Sequence, residues 1–325
     1  MSKIRKIAAM SLMTGLTAVS LISSTYAFVV LNREATVEDF DFNVETDSGL
    51  LISVDGINFS QDITLNQMKQ VIENNTGLPY NKVKYDGVTL SQTNGKINFD
   101  EDGYPIFVRD SLEEIANPVD DIKYNHTYKN ANKNDYLQFD LYFKLINQGS
   151  DTATYNLYFK DTSGFESAGK VNVTLNNNIT LVDGTSYLSG QTIELNPVDA
   201  LRLGVANHTD KTFVVYEPSV GLGSAAIEGS EENIHNKGLS VMYNYYNALH
   251  PHEPFTKAAE DGEAFDTVNT FAGAKAGEFV YKNNEYSVIK LTLSIWLEGW
   301  DADFLAGLPV EATKFKVNLG FYIEK

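Results

Sequence analysis

The side chains able to do chemistry are few and scattered. The histidines are His126, His208, His235, His250 and His252. Only the last two are close together, in His250-Pro251-His252-Glu253, where two imidazoles and a carboxylate could join one more ligand around a transition metal. Two acidic runs, Asp100-Glu101-Asp102-Gly103 and Glu298-Gly299-Trp300-Asp301-Ala302-Asp303, put several oxygen ligands on turns of the kind that take Ca²⁺ with extracellular-type affinity. Neither run has EF-hand spacing. The candidate metal ligands are therefore Asp100, Asp102, Asp301, Asp303, His250 and His252, against the simpler reading that each lies on a solvated turn or loop. Acid–base hydrolysis would need a carboxylate pair such as two of Glu217, Glu298 and Asp301 to meet in space. There is no His-Glu-x-x-His, no Gly-rich phosphate loop, no Gly-x-Ser-x-Gly elbow and no cysteine nucleophile. The sequence reads as a non-enzyme without a resident cofactor, Ca²⁺ being the cofactor candidate beside the weaker transition-metal reading at His250 and His252. Of the two tryptophans, Trp296 sits inside a strand pattern and reads as core, while Trp300 is the better candidate for stacking on a glycan. Tyr243, Tyr245 and Tyr246 face the same choice and read as packing residues.

Composition limits the partners. The chain of 325 residues carries a formal charge of −18 and no cysteine. A surface this acidic repels nucleic acid and suits cations, basic surfaces and uncharged glycans. Without disulfides, stability must come from packing, hydrogen bonds or subunit contacts. Eighteen Tyr and eighteen Phe among frequent Asn, Thr and Gly fit a strand-rich fold.

The first residues read as an address. Lys3, Arg5 and Lys6 precede an uncharged stretch from Ile7 to Leu31, and Ser23-Ser24-Thr25-Tyr26-Ala27 is a small-x-small site with cleavage expected after Ala27. Residues 1–27 are then a signal peptide, and a signal peptidase is a transient partner. The alternative is a retained anchor, with residues 7–31 long enough to span a bilayer. Loss of three cations takes the mature chain to −21. The expected location is secreted or at the cell surface, with membrane contact only through residues 7–31 during export.

Turn chemistry and periodicity set the elements. Asp55-Gly56 after Leu50–Val54 predicts a hairpin returning through Ile57 and Phe59. Asp62 or Thr64 caps a helix that runs through Ile72 and stops before Gly77. Asp86-Gly87, Asn94-Gly95 and Asp102-Gly103 punctuate short strands, and Asp110 with Glu113 suggests a brief helix through Ala116. The polar run 125–135 reads as a loop between a subdomain at 28–125 and a main domain at 136–325. The clearest strand is 136–146, with Leu137, Phe139, Leu141, Phe143 and Leu145 on one face and Gln138, Asp140, Tyr142 and Lys144 on the wet one. Residues 153–159 repeat the pattern and should form an antiparallel hairpin with it. Further strands are expected at 170–175, 179–182, 192–195, 200–205, 211–216, 286–297 and 314–323, a helix at 240–249, and loops at 221–238 and 250–277. The fold expected is mainly β, an antiparallel jelly-roll-like β-sandwich with a few short helices.

The mature N-terminus holds the most mechanistic promise. Phe28, Val29, Val30 and Leu31, freed by cleavage, form an apolar arm suited to strand addition on a neighbouring subunit, against the alternative that it pairs within its own sheet. Thr25-Tyr26-Ala27-Phe28, followed by Asn32 and an acidic, cysteine-free, β-rich chain, resembles the TasA/camelysin family of secreted bacterial biofilm-matrix fibre proteins. Arg33 stands where that family carries an aspartate. The resemblance implies a jelly-roll sandwich, a dedicated signal peptidase and fibres joined by N-terminal donor strands. Some members are described as metalloproteases; lacking a zinc-protease motif, this chain is not expected to share that activity. The functional expectation is an extracellular-matrix or cell-surface filament subunit that self-associates or joins other matrix proteins. The second expectation is a surface carbohydrate- or protein-binding module, calcium-assisted in one version.

Overall fold

Alternation along the clearest strand sets the whole fold. The computed structural model describes residues 35–36, 40–46, 49–79, 84–85, 89–90, 96–114, 124–133, 135–146, 153–167, 171–175, 179–180, 186–195, 201–216, 263–268, 270–271, 273–282, 284–298 and 315–325. They are mainly β, with one helix. The principal strands are β1 (Phe40–Thr46), β2 (Leu50–Ser53), β3 (Asp62–Ile63), β4 (Phe107–Glu114), β5 (Tyr124–Asn130), β6 (Leu137–Leu145), β7 (Tyr155–Phe159), β8 (Gly164–Ser167), β9 (Leu201–Asn207), β10 (Thr212–Tyr216), β11 (Asp266–Val268), β12 (Lys275–Phe279), β13 (Ile289–Leu297) and β14 (Phe315–Glu324), of which β4 and β5 belong to a small three-stranded sheet. A first six-stranded sheet runs β11-β10-β9-β13-β6-β2, and a second runs β12-β7-β14-β1-β3, with β8 also on β14.

In β6 every second residue from Leu137 to Leu145 is buried and its neighbours are not. The buried set packs on the second sheet: the Phe143 and Phe321 rings are 4.6 Å apart, and Phe159 is 4.8 Å from Phe321. Leu157, Val317 and Leu319 join Leu141, Leu203, Leu291 and Leu293 in one apolar cluster. Burying a side chain of this size contributes about 1.5–3 kcal/mol. The helix α1 (Leu65–Thr76) forms where expected. Thr64 Oγ1 accepts the Gln67 N–H while the Gln67 side chain accepts the Thr64 N–H, and Gly77 ends the helix in the left-handed region at φ 70°. Met68 and Ile72 bury its inner face.

Several expectations need correction. The expected helix at 110–116 is not formed over its described residues 110–114, because 107–114 form β4, paired in register with β5. The run 125–135 is mostly not a loop, since 124–130 is that partner strand. Strand β7 does not hairpin with β6; it joins β12 and β14 in the second sheet, whereas β6 lies between β2 and β13 in the first. Within 250–277, residues 263–264 and 266–268 are strands, and 275–277 begin the strand that runs to Phe279. Pairing is not wholly antiparallel: β1 runs parallel to β14, and β10 to β11. The Asp55-Gly56 turn forms, but the returning leg makes only the Ile52–Ser60 bridge. Asp55 is held well below the usual carboxylate range by the Asn58 N–H, the Ser53 hydroxyl and the Ile57 N–H. Strands β1 and β2, which precede residue 125, hydrogen-bond to β14 and β6, which follow residue 136. The expected helix at 240–249 and the loop at 221–238 lie outside the described residues.

The outer face of the first sheet is also covered. Ile97, Phe107, Ala206, Phe213, Val215 and Trp296 form a second cluster there. Trp296 is core as expected, 1 % exposed, with Phe107 edge-on at 5.0 Å. Gly204 is needed here, because a Cβ on it would lie 2.6 Å from Phe213 Cζ.

Candidate functional site

The strand register dictates which polar groups meet on this outer face. Asp140 of β6 lies opposite Thr292 of β13, and Tyr142 lies opposite Lys290. His208 follows β9 directly and donates its backbone N–H to the Lys290 carbonyl. Cross-strand and diagonal neighbours on one face are within side-chain reach, so the pairing alone gathers a carboxylate, a hydroxyl, an ammonium and an imidazole. The loop after Phe99 adds a phenol. Asp100 Oδ1 accepts the backbone N–H groups of Asp102 and Tyr104, at 3.0 and 2.8 Å, and the Phe99–Pro105 bridge closes the turn. Gly103, at φ 83°, lets the loop lie over His208, since a Cβ there would be 3.2 Å from His208 Nδ1.

Asp140 is the hub. Its Oδ2 accepts from the Tyr104 hydroxyl at 2.8 Å and pairs with Lys290 Nζ at 3.1 Å, while its Oδ1 accepts from the Thr292 hydroxyl at 2.6 Å. Lys290 also donates to Tyr104 Oη at 3.1 Å and sits 4.7 Å from that ring's centroid. The Thr292 hydroxyl has one proton, given to Asp140, so His208 Nε2, 2.6 Å away, must be the donor in that contact. His208 thus carries its proton on Nε2 and turns Nδ1 toward Gly103.

The electrostatics follow from burial. His208 is held below its ordinary value, first by burial and then by the Lys290 charge. Burial opposes the charge on Lys290, but its bonds to Tyr104 and Asp140 outweigh this and hold it above the usual lysine value. Burial raises Tyr104 and Tyr142. The pair of a hydroxyl and an imidazole invites comparison with a nucleophile and its base, yet Thr292 is 0 % exposed and its oxygen is already shared by two partners. No substrate reaches it. What the network does is fix the Tyr104 loop on the sheet.

That loop forms one wall of an open cleft of about 560 Å³. Its lining includes Gln138 and Asp140 of β6, Asp100, Asp102 and Tyr104 of the loop, Asn74 and Asn75 at the end of α1, and Asn130, Lys133 and Tyr136. Tyr136 stacks on Phe107 at 4.3 Å and is raised by burial and by the carboxylates of Asp100 and Asp135. Asn75 Nδ2 donates to the Gln138 carbonyl at 2.8 Å, tying the helix end to the β6 edge.

Of the metal candidates, Asp100 and Asp102 lie on the wall of the cleft, with Asp100 committed to its own turn. Asp301, Asp303, His250 and His252, and the arm residues Phe28, Val29, Val30 and Leu31, lie outside the described residues, as do Glu217, Trp300 and Tyr243–Tyr246. Glu298 accepts from Trp296 Nε1 at 3.0 Å. Among the described residues, no group of three or more His, Asp or Glu side chains is placed to hold a metal ion, and no helix is long and apolar enough to cross a membrane. Sequence reasoning missed Tyr104, Asp140, His208, Lys290 and Thr292 as a group. The one usable signal was the polar half of two alternating strands, which looked solvated. No family model, no curated protein and no solved structure matches this chain.

Proposed function

We propose that the protein is an exported structural subunit of an extracellular matrix or cell-surface filament, in which the arm Phe28–Leu31 adds as a strand to a neighbouring copy. The supporting observation is the seam beside β1. All seven residues of β1 pair with β14 on one side, whereas on the other β3 covers only Val44 and Glu45. Among the described residues, the backbone of Phe40–Asn43 therefore has a free side, and such an edge accepts an added strand. The arm lies just ahead of this seam in sequence, joined to Phe40 by residues 32–39. The two sheets, sharing one core cluster, are read as the halves of a jelly-roll-like β-sandwich, in keeping with the resemblance to the TasA/camelysin fibre proteins. Export rests on the charged and apolar leader.

Electron microscopy of two purified chains tests this, one starting at Phe28 and one at Thr36, each over a range of concentrations. Both retain β1. Filaments from the longer chain alone support the reading, and monodisperse particles from both overturn it.

A further inference from the structure

We infer that the cleft between the Tyr104 loop, the end of α1 and the outer face of β6 is a binding site for a short, neutral or amine-bearing pyranose glycan. This goes beyond the filament reading and does not depend on it. The volume, about 560 Å³, falls in the range of small-ligand sites and suits one or two sugar rings. The lining has the functional groups that recognise sugars. Asn74 carries a planar amide and Asp102 a planar carboxylate, each able to meet a pair of neighbouring ring hydroxyls, while Asn75 and Gln138, whose amide nitrogens bond the Gln138 carbonyl and Ser294 Oγ, offer their amide oxygens as acceptors. Tyr104 and Tyr136 offer aromatic surface for the C–H face of a pyranose.

The site is built in advance of any ligand. Tyr104 is anchored through its hydroxyl to Asp140 and Lys290, and Tyr136 is backed by Phe107 and, behind it, Trp296. Rigid walls reduce the ordering cost of binding. Charge narrows the ligand. Lys290 offsets Asp140, which leaves Asp100 and Asp102 against Lys133, so the cleft disfavours a uronic acid and favours an amino sugar. An extended peptide is the other candidate, since the β2 strand covers β6 only at Tyr142–Leu145. Asn75 opposes that, because its bond to the Gln138 carbonyl already occupies the edge where a strand would continue.

Ligand-observed saturation-transfer NMR on the purified chain tests the site with four probes: N,N′-diacetylchitobiose, the glucosamine disaccharide, a glucuronic-acid disaccharide and a peptide of the Phe28–Asn32 sequence. The expected result is transfer to the first two, with about a threefold preference for the cationic sugar, and none to the uronic acid. Asn130→Trp, which fills the cleft from an exposed lining position, should abolish transfer. Asp102→Asn removes a charge without touching the core and should weaken transfer to both sugars, more for the cationic one so that its preference is lost, and the test therefore survives if the tryptophan variant fails to fold. No transfer to either sugar at millimolar concentration, transfer unchanged in a folded Asn130→Trp chain, or transfer to the peptide alone would each overturn the assignment.

Discussion

The two faces of β13 are built by opposite means. Toward the second sheet, Ile289, Leu291, Leu293, Ile295 and Leu297 bury apolar surface with no polar atom to satisfy. On the reverse, Lys290, Thr292 and Ser294 lie in a row where partners are individually specified: Asp140 for the first two and the Gln138 amide for the third. Both faces are largely closed to water, yet one asks for apolar groups that fit its volume while the other depends on particular donors and acceptors. The apolar face supplies stability. The polar face fixes position, because a misplaced loop would leave buried groups unpaired.

Mutations should separate the two. Phe143→Ala opens a cavity against Phe321 and should cost about 3–5 kcal/mol in chemical denaturation, without altering the local geometry of the Tyr104 loop. Asp140→Ala strips partners from Thr292, Lys290 and Tyr104 together. It should cost about 1–3 kcal/mol and release the loop, seen as faster amide exchange at Asp102 and Tyr104. Asp140→Asn, which keeps an acceptor, should do less, and equal losses for the two would show that the charge contributes nothing. Gly204→Ala pushes a methyl into Phe213 and toward Trp296 Cζ3, 3.2 Å away, and should cost about 1–3 kcal/mol without weakening the Asp140 network.

The smallest effect is expected from pH. Burial holds His208 in the folded chain below the ordinary imidazole value of about 6.5. Above that value the residue is neutral in both states. As pH falls through it, the unfolded chain takes up a proton that the folded chain refuses, so stability declines on the acid side. Burial first, and then the Lys290 charge on β13, hold the proton off, while Asp140 and Asp100 partly oppose them. Comparing urea midpoints at about pH 7.5 and about pH 5.5, His208→Gln, which keeps a donor for Thr292, should lose less stability on acidification than the parent. A steeper loss in the variant would reverse the sign assigned to this histidine.

How much of this was legible depended on how local each signal was. Helix α1 was, because Thr64, Gln67 and Gly77 settle its ends within one stretch of chain. Strand β6 was, because its alternation is unbroken. Residues 107–114 misled, since Asp110 and Glu113 have capping-box spacing, and only the distant partner β5 turns them into a strand. The β6–β7 hairpin failed for the same reason: β7 finds better partners in β12 and β14, which lie far along the chain. The site was the least legible part. Tyr104, Asp140, His208 and Thr292 come from separate segments, and the even positions of β6 and β13 look solvated until residues 96–107 are laid over them.

The parallel junction of β1 with β14 sets a timetable for folding. These strands come from opposite ends of the described range, and a ribosome delivers one long before the other. Until β14 arrives, β1 has lost its seven-residue ladder and the second sheet lacks its central strand. Closing a loop of that length is slow compared with local pairing. The first sheet faces a similar delay, because β13 also emerges late. A nascent chain would therefore expose sticky edges through most of its synthesis, and an interval spent held unfolded by a chaperone would protect it until its last strand was made.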